Sequence, residues 1–216
     1  MIPLLHDFSD ARVLVFGGGP VGARKARQFD REAEVVVVAP EFADADFGDA
    51  TLERASPDPA EVSDWLDRIE PALVVAATDE RAVNAAVESA ARDRGLLVNR
   101  ADHSGARAPG DVVLPAIARD DPVVVGVSTQ GRAPAVSGVL REEIEAEFDG
   151  AGALGTFVGD RREQFAERGI EGTHRRDALR AIARSDRIRG LVADGKTDMA
   201  REVAEKLLTE IRNGAE

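Results

Sequence analysis

The sequence predicts an α/β fold: a parallel sheet covered by helices on both faces, then a small antiparallel pair of strands, then a helical C-terminal portion. Three observations carry this. Short apolar runs alternate with helix-length segments through residues 12–98. A glycine-rich junction joins the first run to the first helical segment. From residue 134 onward the pattern is helical alone.

Residues 12–16, Arg-Val-Leu-Val-Phe, read as a buried strand, and residues 23–32 as the helix after it, with Ala23, Ala26 and Phe29 near one face. Residues 34–38 are a Val-rich second strand and residues 50–54 a short third one. A helix is expected over 58–69, where Pro59 suits the first turn. Residues 73–77 form another buried strand, ended by Thr78-Asp79, and residues 80–94 a helix stopped by Gly95. Residues 96–98 form a strand that leads into Asn99-Arg100-Ala101-Asp102. A polar Gly/Pro loop covers 102–111. Two further strands are expected at 112–115 and 123–128, joined by a hairpin turn at 118–122 and therefore antiparallel. Helices are expected at 134–148, 154–168, 174–184 and 198–212, broken by Gly150, Gly152, Gly169, Gly172 and Gly190.

Composition narrows the function classes. Of the 216 residues, 44% are hydrophobic, enough for a packed core. No apolar run approaches the ~20 residues of a membrane span, and the first residues lack a basic n-region and a long apolar h-region, so a cytoplasmic protein without a secretory signal is expected. With no Cys, thiolate catalysis, disulfides and Cys-based zinc sites are excluded, and the His spacing matches no metal motif. Forty acidic residues against 28 basic ones give a net charge of -12, and only Lys25, Lys196 and Lys206 among the basic residues are Lys. Such an acidic, Lys-poor surface suits concentrated salt, which screens self-repulsion, and disfavours nucleic acid as a partner. An ordinary acidic protein is the other reading.

Gly17-x-Gly19-x-x-Gly22 follows a strand and opens a helix, the context that makes this spacing a dinucleotide-binding turn. Gly17 permits the tight turn, Gly19 lets the backbone approach a pyrophosphate, and Gly22 lets helix and strand pack closely. Pro20 and Val21 open the helix, whose free N–H groups and positive dipole end face the phosphates. The carboxylate that usually receives the ribose hydroxyls at the second strand end is replaced by Ala39-Pro40, so backbone there is expected to line the adenosine site. Residues 41–49 carry Glu41, Asp44, Asp46 and Asp49 and no Lys or Arg, which favours NAD over NADP.

Taken together, several segments resemble the precorrin-2 dehydrogenase family of siroheme synthesis, some members of which also insert iron into sirohydrochlorin. The segments are Pro3-Leu4-Leu5, Val15-Phe16-Gly17-Gly18-Gly19-Pro20-Val21-Gly22-Ala23-Arg24-Lys25-Ala26, Val38-Ala39-Pro40-Glu41, Ala76-Ala77-Thr78-Asp79 with Val83-Asn84, Asn99-Arg100-Ala101-Asp102 (the family's N-V-x-D), Pro115-Ala116, and Val125 through Pro134. The resemblance covers residues 1–148 well and the tail loosely. It implies a Rossmann domain (1–112), a dimerisation region (113–149) and a helical C-terminal domain (150–216), hence a homodimer. It implies NAD-dependent oxidation of precorrin-2 to sirohydrochlorin, with ferrochelatase activity open and methylation left to another protein. Three departures fall at His103-Ser104, where the family often has an Asp-Pro-like dipeptide, in the loop to Pro115, which is a little longer, and at Ala133, where the family has Ser.

The resemblance also singles out Asp102 as the catalytic residue, a proton acceptor or a holder of pyrrole N–H groups; local sequence alone reads it as a loop or capping Asp. His103 is adjacent and titrates near neutrality, or is an exposed loop residue. Thr78 and Asp79 are expected to shape the nicotinamide pocket, or to cap the next helix. Ser128, Thr129, Gln130, Gly131 and Arg132 are candidates for binding a substrate carboxylate, against a plain capping turn. Residues 161–189 hold nine Arg and five acidic residues, a basic surface for a polycarboxylate or a set of helix ion pairs. The rival to an enzyme is an NAD-sensing regulatory module, which needs the glycine turn but not Asp102.

Overall fold

A computed structural model describes residues 2–102 and 108–213, and the chain divides into two compact units. The first comprises Met1–Leu114 with Thr129–Ala133, and the second Pro115–Ser128 with Pro134–Glu216.

In the first unit, among the described residues, five strands form a parallel sheet in the order β3-β2-β1-β4-β5. They are β1 (Arg12–Phe16), β2 (Glu34–Ala39), β3 (Thr51–Arg54), β4 (Leu73–Ala76) and β5 (Leu97–Arg100). Between them run α1 (Pro20–Phe29), α2 (Val62–Ile69) and α3 (Arg81–Asp93). The two-residue period of a strand sorts its side chains to opposite faces. Val13, Val15, Val35, Val37, Leu73 and Val75 pack with Ala23, Ala26 and Phe29 of α1. Leu14, Phe16, Val36, Val38, Val74 and Ala76 pack with Val62 and Leu66 of α2 and Val83 and Val87 of α3. Burial on both faces is why these strands read as unbroken apolar runs. The chain leaves β1 toward β2 and β3, then returns to place β4 on the other side of β1. That reversal is the switch point at whose C-terminal rim open α/β sheets bind ligands.

In the second unit β6 (Ala116–Asp120) and β7 (Val123–Val127) pair antiparallel. The helices are α4 (Pro134–Glu147), α5 (Ala151–Glu167), α6 (Gly172–Arg184), α7 (Asp186–Ala193) and α8 (Thr197–Asn213). Phe157, Phe165, Ala178, Ile182, Ile188, Ala200, Ala204 and Leu208 form the core of the helical part.

The architecture is the expected one, with shifted boundaries. Residues 112–115 are not a strand. Asp111 instead makes an isolated parallel bridge to Val98, and Val112 N–H donates to the Val98 carbonyl at 2.8 Å, so this segment is tied to β5. The stretch 118–122 is not simply a turn: Ala118–Asp120 completes β6, and Asp121-Pro122 alone makes the corner. The sequence Ala-Ile-Ala-Arg-Asp has few β-branched residues and concealed a strand that β7 supplies with partners. The helix expected from 58 begins at Val62, because the Asp58 carboxylate accepts from the N–H groups of Ala60 and Glu61 and holds a turn ahead of it.

Helix α7 was not anticipated. Ser185 is its N-cap, its Oγ accepting from Ile188 N–H at 3.3 Å, and Gly190 lies inside it rather than ending it. Burial of Ile188 outweighs the roughly 1 kcal/mol that an internal Gly costs. Ser185→Ala is expected to destabilise the chain by about 1 kcal/mol in urea unfolding.

Candidate functional site

The first strand delivers the chain into the glycine turn at the switch point. Gly17 has φ +122°, and a Cβ there would lie 2.2 Å from the Ala77 carbonyl oxygen. A Cβ on Gly22 would lie 1.9 Å from the Gly17 oxygen, so α1 closes on the turn after β1 at Gly22, while Gly17 closes on the segment after β4. Gly19 is different. It is the N-cap of α1 in extended backbone, and nothing lies within 4 Å of where its Cβ would be. Pro20 follows at the helix start, and no acidic residue stands in the first turn to repel an anion.

These residues border a cavity of about 600 Å³ lined by Gly17, Gly18, Gly19, Pro20 and Val21, by Ala39, Pro40 and Phe42, and by Thr78, Asp79 and Val83. The open space at Gly19, the bare helix N-terminus and the absence of a side chain at the turn fit a dinucleotide pyrophosphate. Gly22 stands behind this wall and does not line it. Arg54, on β3 in register with Ala39, reaches the same rim from outside residues 41–49. Its guanidinium donates to the Pro40 carbonyl at 3.5 Å and sits 5.9 Å from the Phe42 ring centre.

The next part of the rim is built around Asn84, a fully buried polar residue on the apolar face of α3. Its Oδ1 accepts from Thr78 N–H at 3.1 Å and Thr78 Oγ1 at 2.8 Å, and its Nδ2 donates to the Thr78 carbonyl at 2.8 Å. Thr78 is thus held by the first turn of α3, and its Oγ1 also accepts from Glu80 N–H at 3.2 Å, a turn ahead of the helix; the N-cap itself is Glu80, so neither Thr78 nor Asp79 caps α3.

Asp102 follows β5 at the same end of the sheet. Arg100 Nε donates to Asp102 Oδ1 at 2.9 Å and Arg100 Nη2 to Oδ2 at 2.6 Å. The third nitrogen, Nη1, donates to Glu88 Oε2 of α3 at 2.7 Å. Arg92 joins Glu88 to Asp111, 2.8 Å from the latter. The Arg100 fork holds the Asp102 carboxyl below its ordinary value of 3.8, with partial burial opposing and the Asn84 amide helping. Asn84 therefore connects the cavity wall at Thr78 with Asp102. His103 and Ser104 lie outside the described residues.

Ser128 directly follows the second strand of the hairpin, and the turn after it carries Gln130 at φ 58° and Gly131 at φ 79°. Thr129 Oγ1 accepts from Ala133 N–H at 3.1 Å, and Arg132 N–H donates to the Thr129 carbonyl at 3.1 Å. This is a strand–turn–helix leading into α4. Its residues do not line the 600 Å³ cavity.

In the Arg-rich window, Arg161 is buried against the Phe157 ring and donates to Gln164, and Arg168 pairs with Glu205. Among the described residues no group of three or more His, Cys, Asp or Glu is placed to hold a metal, and no helix is long and apolar enough to cross a membrane.

Arg100, Asn84, Glu88 and Arg54 are the site residues that the sequence reading did not assign. Arg100 and Asp102 are two apart, the spacing that puts side chains of extended chain on one side. Asn84 interrupts an apolar stripe of α3, which is a signal in itself.

The family model described as "Putative NAD(P)-binding" matches residues 4–116. The chain is 32% identical over 97% of its length to siroheme synthase 1 of Aeromonas salmonicida, covering 44% of that protein. It is 34% identical over 67% of its length to the precorrin-2 dehydrogenase of Methanosarcina barkeri, covering 65% of it. The chain thus spans about half the length of the siroheme synthases it matches. Among solved structures, "SirC, precorrin-2 dehydrogenase" superposes with a TM-score of 0.70 at 21% identity, over 95% of this chain and all of that one, and shares the fold.

Proposed function

The chain belongs to this NAD(P)-binding family, and on that premise we propose that it is an NAD-dependent precorrin-2 dehydrogenase that makes sirohydrochlorin. The observation that carries this is the pairing of a dinucleotide-sized cavity at the glycine turn with an ionised carboxylate, Asp102, on the same rim, linked through Thr78 and Asn84. A purely NAD-sensing module would have no use for that carboxylate.

NAD, when bound, accepts a hydride at its nicotinamide ring. The chain's own part is to seat the pyrophosphate on the backbone around Gly17, Gly19, Pro20 and Val21, and the adenosine beside Ala39 and Pro40. Thr78 and Asp79 shape the wall nearest the reaction. Asp102 orients the pyrrole N–H groups, and the proton released with oxidation leaves from this side. Ser128, Thr129, Gln130, Gly131 and Arg132 supply N–H, hydroxyl and guanidinium donors for substrate carboxylates. NAD is preferred to NADP because Glu41 stands at the adenosine end and Arg54 is already engaged by Pro40 and Phe42.

The enzyme works as a cytoplasmic homodimer. Support for the dimer comes from α4, whose Val136, Val139 and Leu140 are 50%, 55% and 40% exposed at helical spacing, and from a two-stranded β6–β7 sheet with open edges. The acidic, Lys-poor surface supports adaptation to high salt.

Incubation with NAD and enzymatically made precorrin-2 is expected to yield NADH and sirohydrochlorin in equal amounts, with higher activity in molar KCl than at about 0.1 M. No NADH at any salt concentration refutes the dehydrogenase. Adding Fe(II) after oxidation reads ferrochelatase activity in the same cuvette. Light scattering in molar KCl is expected to give twice the 23.0 kDa chain mass.

A further inference from the structure

We propose that Arg100 is a positioning residue, whose guanidinium fork, anchored on α3 through Glu88, fixes Asp102 as an oriented anion rather than a proton acceptor. The proposal rests on the role given above to Asp102. Arg100 stands where the pattern N-V-x-D, which this segment resembles, carries Val.

The geometry is specific. Both Asp102 oxygens take a separate guanidinium N–H, at 2.9 and 2.6 Å, in the planar two-point arrangement that arginine makes with a carboxylate. The remaining arm is taken by Glu88 at 2.7 Å. Arg100's side chain is 14% exposed and Asp102's 25%, so the pair is shielded from bulk water more than a surface bridge is. Among the described residues, the charged groups around the pair are Glu88 and Arg92 from α3 and Asp111 from the segment bridged to β5, with the Asn84 amide also from α3. Arg92 neutralises Glu88 and Asp111 in turn, which leaves Arg100 free to serve Asp102.

A carboxylate with both oxygens so occupied is a weak base but a strong electrostatic partner. Loss of a hydride from a saturated ring carbon of the substrate, with its electron pair, to NAD leaves positive charge on the pyrrole nitrogen system. A fixed anion stabilises that charge, and the N–H proton then passes to water, which balances the oxidation. Orientation matters because a carboxylate free to rotate loses part of this stabilisation.

The test compares Arg100→Met and Arg100→Lys with the unaltered protein, using two readouts. In the first, 13C NMR follows the Asp102 carboxylate from pH 7 to 3 in protein without substrate, with Asp102→Asn assigning the signal. Arg100→Met is expected to raise the midpoint by at least about one pH unit and Arg100→Lys by less. In the second, kcat is followed against pH. The unaltered enzyme is expected to lose less than about twofold between pH 8 and 5, and the acid limb of kcat in Arg100→Met to lie at least about one pH unit above that of the unaltered enzyme, with KM for NAD unchanged. Superimposable carboxylate titrations overturn the proposal, as does an unchanged pH profile. If Arg100→Met fails to fold by thermal melting, Arg100→Lys carries both readouts. Absence of any precorrin-2 oxidation by the unaltered protein would instead refute the function, while the NMR titration would still decide whether Arg100 clamps Asp102.

Discussion

Asp102→Asn is expected to lower kcat for precorrin-2 oxidation by about 10²- to 10³-fold and to leave NAD affinity within about twofold. The substitution keeps shape and size, and the Asn carbonyl still accepts one N–H from Arg100. What disappears is the negative charge proposed above to face the substrate nitrogens. Asp102 is not among the residues lining the glycine-turn cavity, so the dinucleotide should be indifferent to the change. Single-turnover formation of NADH measures the first quantity and calorimetric titration of NAD the second. Full turnover by the variant would remove Asp102 from the chemistry. The same substitution reports on stability. The folded-state carboxyl lies below its ordinary value of 3.8, so its contribution is fully present above that value and is lost as pH falls through the lower folded-state value. The urea midpoint of the unaltered protein should therefore fall more steeply below about pH 4 than that of Asp102→Asn.

The sheet and its glycine turn were legible because each depends on short-range pattern. Strands buried on both faces must be apolar throughout, and a helix that starts directly on a strand must have glycines where backbones meet, as at Gly17 and Gly22. Helix α7 was hidden because Ser185 and Gly190 look like breaks locally, and only the burial of Ile188 among helices from elsewhere in the chain tells otherwise. The start of β6 was hidden for a similar reason, since its partner β7 decides it. In the site, Asp102 was placed by resemblance. Its ion-pair partner lay two residues away in plain view, but the contact that anchors that partner joins Arg100 to Glu88 across twelve positions. No periodicity reports a bond of that kind. Asn84 marks the middle ground, since a buried amide in an apolar helix face signals that it satisfies something, without saying that Thr78 is what it satisfies.

Two glycines of the turn, Gly19 and Gly22, are expected to separate binding from folding. Gly19→Ala should fold with a melting temperature within about 2 °C of the unaltered chain, because φ is -78° there and nothing stands within 4 Å of the new methyl group. Its NAD affinity should nevertheless fall about 100-fold. The added carbon occupies the space in which a phosphate must touch backbone N–H groups, and a charge-assisted bond lost to such a group costs roughly 1.5–3 kcal/mol. Gly22→Ala should behave in the opposite order. Its Cβ would sit 1.9 Å from the Gly17 carbonyl oxygen, a backbone atom that cannot swing away, so α1 must move off β1. Overpacking of this kind costs about 1–3 kcal/mol or more, and affinity falls only because the turn is displaced with the helix. Thermal melts alongside NAD titrations distinguish the two variants. Tight NAD binding by Gly19→Ala would show that the pyrophosphate does not rest on this turn, and the placement of the cofactor would fall with it.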